Sequence, residues 1–491
     1  MTGCNPGQHG IYDFVSYTDG SYRPTLVSGA SKAVPSIWRI LSDAGLTVGV
    51  INMPFTYPPE PVDGFMISGM DAPGFDARSV SPPELYAELA DRFPHYDMSP
   101  VPRRGSSYDL EALEAQVASL TEIATYLQAT RPVDVLALVY QGSDHVAHRS
   151  WWSRRVQWGG RTADDVLLWI YQRVDADLGR LLEAMPHTEI SLVLSDHGFM
   201  GVQWVLNLNG ALRDAGLLAY QSGPEAAGRR AGLRARFLPA LRSFVKRRLS
   251  LDAQVGLMRR FGWVRRLNWA LREAELDWDR TALFASGPFG MMRLNLRGRE
   301  ARGWVEPGDM AQNVIRRARE ALLDLRCPDT DAPLFLRIDL NEDIYLGPEA
   351  ARGPDLVAIP NPATGCYLPA PIQGASAPTL TPAREARTRL GVKEEGTHSP
   401  VGLLVAAGKD IAAGQRVEAG LVDLGPSLLA HLEQPVPDYM DGKVLPEFTG
   451  GRPPRVVSAE PTPTPEPSED VAYTEQDRKD IEERLRSLGY M

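Results

Sequence analysis

Two stretches of this chain share a layout that restricts the fold more than anything else in it: an apolar run of strand length that stops at an aspartate and a histidine. Residues 133–140, VDVLALVY, lead through Gln141 and Gly142 to Asp144, His145 and His148. Residues 189–198, EISLVLSDHG, close on Asp196 and His197. Such runs are the pattern of strands buried on both faces of a parallel sheet, whereas a strand with one wet face alternates apolar and polar. In open α/β sheets the working groups sit just past the carboxyl ends of the strands. A third imidazole, His398, stands in GTHSP, ahead of another apolar stretch, PVGLLVAAG.

The remaining chain alternates to match. Residues 31–44 have helical spacing and stop near Gly45, and 46–53, LTVGVINM, read as a buried strand. Residues 108–130 carry a helical stripe of Leu110, Leu113, Val117, Leu120, Ile123 and Leu127, and feed the first Asp/His strand. A second long helix, 162–185, feeds the other, with Asp164 and Asp165 near its start, where the helix dipole favours negative charge. Strand, helix, strand in this order predicts an α/β fold: a doubly wound, mostly parallel sheet flanked by helices. The composition departs from this pattern over 228–272, where arginines are interleaved with Leu, Phe, Val and Trp. That predicts a helical, basic cap inserted over 221–310, between a first part of the core (1–220) and a second (311–450). The plain reading of the cap is a solvated basic face over an apolar stripe. The sharper one is a basic rim that attracts a phosphate-bearing substrate or an anionic membrane surface. Residues 451–472 read as a Pro-rich linker and 473–491 as a terminal helix.

The formal charge of −10 argues against a nucleic-acid-binding role. Cys4, Cys327 and Cys366 are an odd, scattered set without metal-ligand spacing or a disulfide framework. No run reaches the roughly 18 apolar residues of a membrane span. The chain as given favours the cytoplasm and is compatible with export. Oligomeric state is not legible.

Asp144, His148, Asp196, His197 and His398 all fall beside strand ends, and together they read as a metal centre. His9, His95, His187 and His431 read instead as ordinary polar side chains. Mixed carboxylate and imidazole ligation suits zinc, with manganese or iron as alternatives, better than magnesium or calcium. Five ligands exceed what one catalytic ion with three protein ligands needs. Two ions about 3.5–4 Å apart would clamp the attacking and leaving oxygens of an in-line displacement, as phosphoryl transfer requires.

GSDHVAHRSWW, VLSDHGFMGVQWVLNLNGAL and GTHSPVGLLVAAG together resemble the alkaline phosphatase superfamily, and most closely its type I phosphodiesterase/nucleotide pyrophosphatase branch. TGCNPGQHGIYDF, MPFTYPPEPVDGF, VPDYMDGKVL and the closing ERLRSLGYM are similar to its bacterial members. The resemblance implies an alkaline phosphatase-like core and two divalent ions. One ion would be held by Asp144, His148 and His398. The other would be held by Asp196 and His197 with an early Asp and the nucleophile. It also implies a small phosphoester or nucleotide-like substrate. The Thr or Ser nucleophile, with that early Asp, is expected upstream of Met1. No residue of the chain is therefore named as catalytic, and the chain itself is expected to be weakly active or inactive. Cys4, two residues before Pro6, does not make a sulfatase-type nucleophile, because Gln8 stands where that motif needs an arginine. His145 is expected to face solvent or the substrate pocket. The alternatives are a phosphomutase or phosphotransferase of the same superfamily, and a non-catalytic, metal-stabilised binding protein.

Overall fold

The computed structural model describes residues 1–17, 20–98, 109–221, 275–369, 374–462 and 472–487. The Arg-rich part of the expected cap, 228–272, lies outside them.

The first sheet is built on β1 (Val48–Met53), flanked by β2 (Gly64–Ser68) with β3 (Val80–Ser81) beyond it, and by β4 (Val135–Leu138) on the other side. β1 pairs in parallel with both β2 and β4, and β3 closes the edge in antiparallel fashion. The period of two in β1 explains its burial. Val48 and Val50 face α1 (Ile37–Asp43), packing with Ile37, Trp38 and Leu41. Ile51, with Phe65 and Ile67 of β2, faces α2 (Leu110–Thr130) through Leu120, Ile123 and Leu127. Each such side chain contributes roughly 1.5–3 kcal/mol by leaving water. Helices thus cover both faces, as the sequence predicts. Ser36 and Asp109 cap α1 and α2 by accepting N–H bonds from Arg39 and Ala112.

β4 runs into α3 (Gly142–Ser150), and α4 (Val166–Ala184) leads to β5 (Ile190–Leu194). The carboxylate of Asp165 accepts from the N–H groups of Leu167 and Leu168, so α4 begins at its acidic signal. Residues 162 and 163, expected to open that helix, belong instead to a short antiparallel ladder of 161–163 with 156–158. β6 (Gly198–Gly201) follows β5 directly.

The second sheet contains β7 (Leu283–Ala285), β8 (Met291–Leu294), β9 (Phe335–Leu340) and β10 (Leu356–Pro360), ordered β7-β8-β10-β9 and antiparallel throughout. α5 (Asp309–Leu323) covers it, burying Val314, Ala318 and Leu322 against a core that includes Phe335, Ile338 and Leu356. Residues 283–294, inside the span expected to be helical cap, are therefore sheet strands. Two antiparallel ladders matter for the site: β11 (Gly396–Ser399) pairs with β6, and β12 (Leu404–Gly408) with β5. α6 (Glu475–Ser487) ends the described chain, with Ile481 and Leu485 packed on Met70.

The fold is α/β, but its parallel pairing is narrower than a doubly wound sheet implies. Among the described strands the parallel pairs longer than two residues are β1 with β2 and β1 with β4. β4 pairs only with β1, and β5 only with β12, among the described strands. Their apolar runs are consequently half-buried, and Leu194 is 44% exposed. An apolar strand is covered only where a neighbour lies against it, which no run of hydrophobic residues guarantees by itself.

Gly49 marks the tightest point of β1. A Cβ there would meet Cζ of Phe65 at 2.4 Å and Cδ1 of Leu136 at 3.1 Å. Phe65 is completely buried and has nowhere to retreat. Gly49→Ala is expected to destabilise the protein by about 1–3 kcal/mol, read as a lower urea midpoint with unchanged slope.

Candidate metal centre

α3 presents Asp144 and His148 one helical turn apart, on one face. Its seating is tight: a Cβ on Gly142 would reach Ile170 of α4 at 3.0 Å and Val117 of α2 at 3.2 Å. β11 brings in His398, directly across the ladder from Phe199 of β6. His197 precedes β6, at the bend that leaves β5. Three segments far apart in sequence therefore meet at one point.

The donor atoms are closely spaced. Asp144 Oδ1 lies 3.5 Å from His148 Nε2 and 3.6 Å from His398 Nε2, and those two nitrogens are 3.0 Å apart. Tetrahedral ligands bonded at about 2.0–2.1 Å stand about 3.3 Å from one another, so the three separations match the edges of a coordination sphere. Asp144 Oδ1 is buried without a hydrogen bond. His148 Nδ1 is tied to the carbonyl of Gly396 at 3.1 Å, which fixes the ring so that Nε2 faces the carboxylate. Asp144, His148 and His398 together have the chemistry and spacing to hold a transition-metal ion.

His197 abuts this trio. Its Nε2 lies 3.8 Å from Asp144 Oδ1, its Nδ1 is 3.1 Å from the Gly198 carbonyl, and its ring stacks on that of His398 at 3.6 Å. Asp196 is beside it, with Oδ1 3.6 Å from His197 Nε2, but its side chain is 78% exposed. The five residues singled out in the sequence thus share one neighbourhood, with Asp196 at its solvent rim.

Burial alone would raise the Asp144 carboxyl, but the surrounding imidazoles, His148 first, override it and hold the group well below the ordinary carboxylate range. Burial pushes His148 down to about 4, against the opposing pull of Asp144, so the ring is neutral at physiological pH. His145 is buried, with its pKa lowered for the same reason, and does not face solvent. The thiol of Cys4 is buried and pushed up to about 12, which removes it as a nucleophile.

Aromatic walls around the trio were not legible in the sequence. Phe199 meets His148 edge-on at 5.0 Å, and Phe289 stacks on His398 at 5.0 Å. Phe289 sits at a positive φ of 60° in the turn between β7 and β8, a conformation unusual for a bulky residue. Ser286, at the base of that turn, lines a cleft with Tyr12, Asp13, Met291, Arg293 and Arg352. Asp13 Oδ2 and Arg293 Nε are buried there without hydrogen bonds.

The family model of type I phosphodiesterase / nucleotide pyrophosphatase matches residues 1–368. The chain belongs to that family. In this type I phosphodiesterase relative, the matched span holds Asp144, His148, Asp196 and His197, while His398 lies beyond it. No curated protein matches the chain. Two solved structures are similar to it, both phosphonoacetate hydrolase from Sinorhizobium meliloti 1021, one in complex with phosphonoformate and one with phosphonoacetate. Each is 13% identical, covers 82% of this chain and 76% of its own, and superposes with a TM-score of 0.41. No described helix is long and apolar enough to cross a membrane.

The cleft residue Asp13 gives a pH test. Burial raises its carboxyl to about 7, against about 4 in an unfolded chain. Below pH 4 it is neutral in both states and costs nothing. Between pH 4 and 7 only the unfolded chain ionises it, so stability falls as pH rises, and above 7 the full cost, on the order of a few kcal/mol, is present. Asp13→Asn keeps the oxygen that accepts the Phe14 N–H. It should be more stable than wild type at pH 8 in urea melts, with the difference closing by pH 4.

Proposed function

We propose that this protein is a metal-dependent phosphoester hydrolase of the phosphodiesterase/nucleotide pyrophosphatase type, acting on a small phosphoester or nucleotide-like substrate. The observation that carries the reading is the convergence of Asp144 Oδ1, His148 Nε2 and His398 Nε2 at coordination-edge distances, in a member of a phosphodiesterase family. Zinc fits the donor set best, with manganese and iron as alternatives.

When bound, the ion supplies Lewis-acid polarisation of a phosphoryl oxygen. The chain's own residues do the rest. Asp144 offsets the positive charge at the centre, and His148, locked by the Gly396 carbonyl, is held as a neutral donor. Phe199 and Phe289 wall His148 and His398 with apolar rings, which strengthens every electrostatic interaction between them. Three protein ligands leave an open position for substrate, the pattern of a catalytic rather than a structural site. His197 and the exposed Asp196 offer a second, solvent-facing pair of donors beside the first, which supports a second ion held more weakly. The nucleophile's role is assigned to no residue of this chain. Metal dependence rather than rate is the diagnostic.

Elemental analysis of the purified protein should find about one tightly held transition metal per chain. His398→Ala should release it, and His95→Ala should not. Any hydrolysis of bis(p-nitrophenyl) phosphate should vanish with chelator and return with zinc or manganese, and should exceed that of p-nitrophenyl sulfate. Wild type and His398→Ala that are equally free of metal would sink the reading.

A further inference from the structure

Residues 394–396, just before His398, are bound to every segment that brings a donor to the centre. Glu395 is the hub. Its buried carboxylate accepts four hydrogen bonds: from the N–H of Trp152 at 2.9 Å and of Ser153 at 2.7 Å, from the Ser153 hydroxyl at 2.7 Å, and from Arg387 at 2.9 Å. Its backbone N–H donates to the carbonyl of His148 at 2.7 Å, and its own carbonyl accepts from Val202 N–H at 2.8 Å. Trp152 and Ser153 follow α3, which carries Asp144 and His148. Val202 follows β6, the strand that begins one residue after His197. Glu395 itself leads into β11 and His398.

The neighbours reinforce the same junction. Glu394 pairs with Arg149 of α3 at 3.2 Å, with both side chains nearly buried, and Gly396 offers its carbonyl to His148 Nδ1. Gly396 also lies so close to the α3 backbone that a Cβ would meet the Ala147 carbonyl at 2.4 Å. Contacts of this density have a cost. A buried carboxylate is tolerated only when its oxygens are saturated with donors, and here every donor to the carboxylate but Arg387 comes from the segment that follows α3.

We infer that Glu395 is a positioning residue: it fixes the spacing between the Asp144/His148 helix and the His398 strand, and thereby sets the affinity and geometry of the metal centre. The inference rests on the proposal that Asp144, His148 and His398 hold an ion. Both carboxylate oxygens of Glu395 are engaged by Trp152, Ser153 and Arg387, so the residue acts through the segments it joins. Glu395→Gln keeps the size of the side chain but turns one acceptor oxygen into a donor amide, facing donors that have no other partner on that side. The ligand separations then relax away from the coordination sphere.

The test is cobalt binding to the full chain, read as a dissociation constant by chelator competition and as the visible d–d spectrum of the bound ion. Wild type should bind, and Glu395→Gln should bind roughly 10–100-fold more weakly, with a changed spectrum. Arg387→Ala, which removes only the half-exposed donor, should change either readout far less. Should Glu395→Gln fail to fold, judged by far-ultraviolet circular dichroism, Ser153→Ala takes its place. That variant withdraws one donor and should weaken cobalt binding several-fold while keeping the wild-type far-ultraviolet spectrum. Affinity and spectrum equal to wild type in the folded variant, even with a lowered melting temperature, would show Glu395 to be merely structural and overturn the inference while the metal reading stands. Absence of cobalt binding by wild type would instead reject the metal reading, and this inference with it.

Discussion

A carboxylate oxygen sealed from water and ringed by imidazoles is the interaction on which the rest of this structure depends. Asp144 Oδ1 has three ring nitrogens within 3.8 Å and no hydrogen bond. Bringing a carboxylate and three imidazoles to one largely buried point costs desolvation that a few weak contacts do not return. On the proposed reading, a divalent cation at the middle of that set would supply the missing attraction. The surrounding architecture is consistent with this demand. α3 is wedged between α2 and α4, β11 is clamped to β6, and His148 and His197 each turn Nδ1 toward a backbone carbonyl so that Nε2 faces inward.

The two sheets serve that point differently. The first, with helices on both faces, carries α3 at the carboxyl end of β4, so the position of Asp144 and His148 follows from an ordinary α/β crossover. The second, antiparallel and covered by α5, contributes the turn that sets Phe289 on His398. His398 itself comes from neither sheet. It sits on a two-stranded ladder whose partner strand starts beside His197, so one pairing register, Phe199 opposite His398, ties two of the imidazoles together. A slip of one residue in that ladder would turn His398 to the other face and dismantle the cluster.

The sequence revealed those parts of the fold that rest on local signals. β1 and α2 were legible because an apolar run of strand length, or a stripe at helical spacing, extends over enough residues, and α4 because Asp165 marks its start. The five donors were legible because aspartate and histidine recur where apolar strands end, a place where packing does not call for them, and family resemblance sorted them. What the sequence concealed depends on partners hundreds of residues away. The exposure of Leu194, the strands at 283–294 within an expected cap, and the buried setting of His145 are set by tertiary neighbours, not by the residues themselves. Glu395 gave no signal at all, since one glutamate in a charged run reads as a solvated face until its four donors are seen.

Anomalous diffraction from crystals of the metal-loaded protein, collected at the absorption edge of the bound ion, tests the central claim most directly. A strong peak within about 2.1 Å of Asp144, His148 and His398 donor atoms is the predicted result. A map without a peak between those three side chains, from crystals whose protein carries stoichiometric metal, would contradict it.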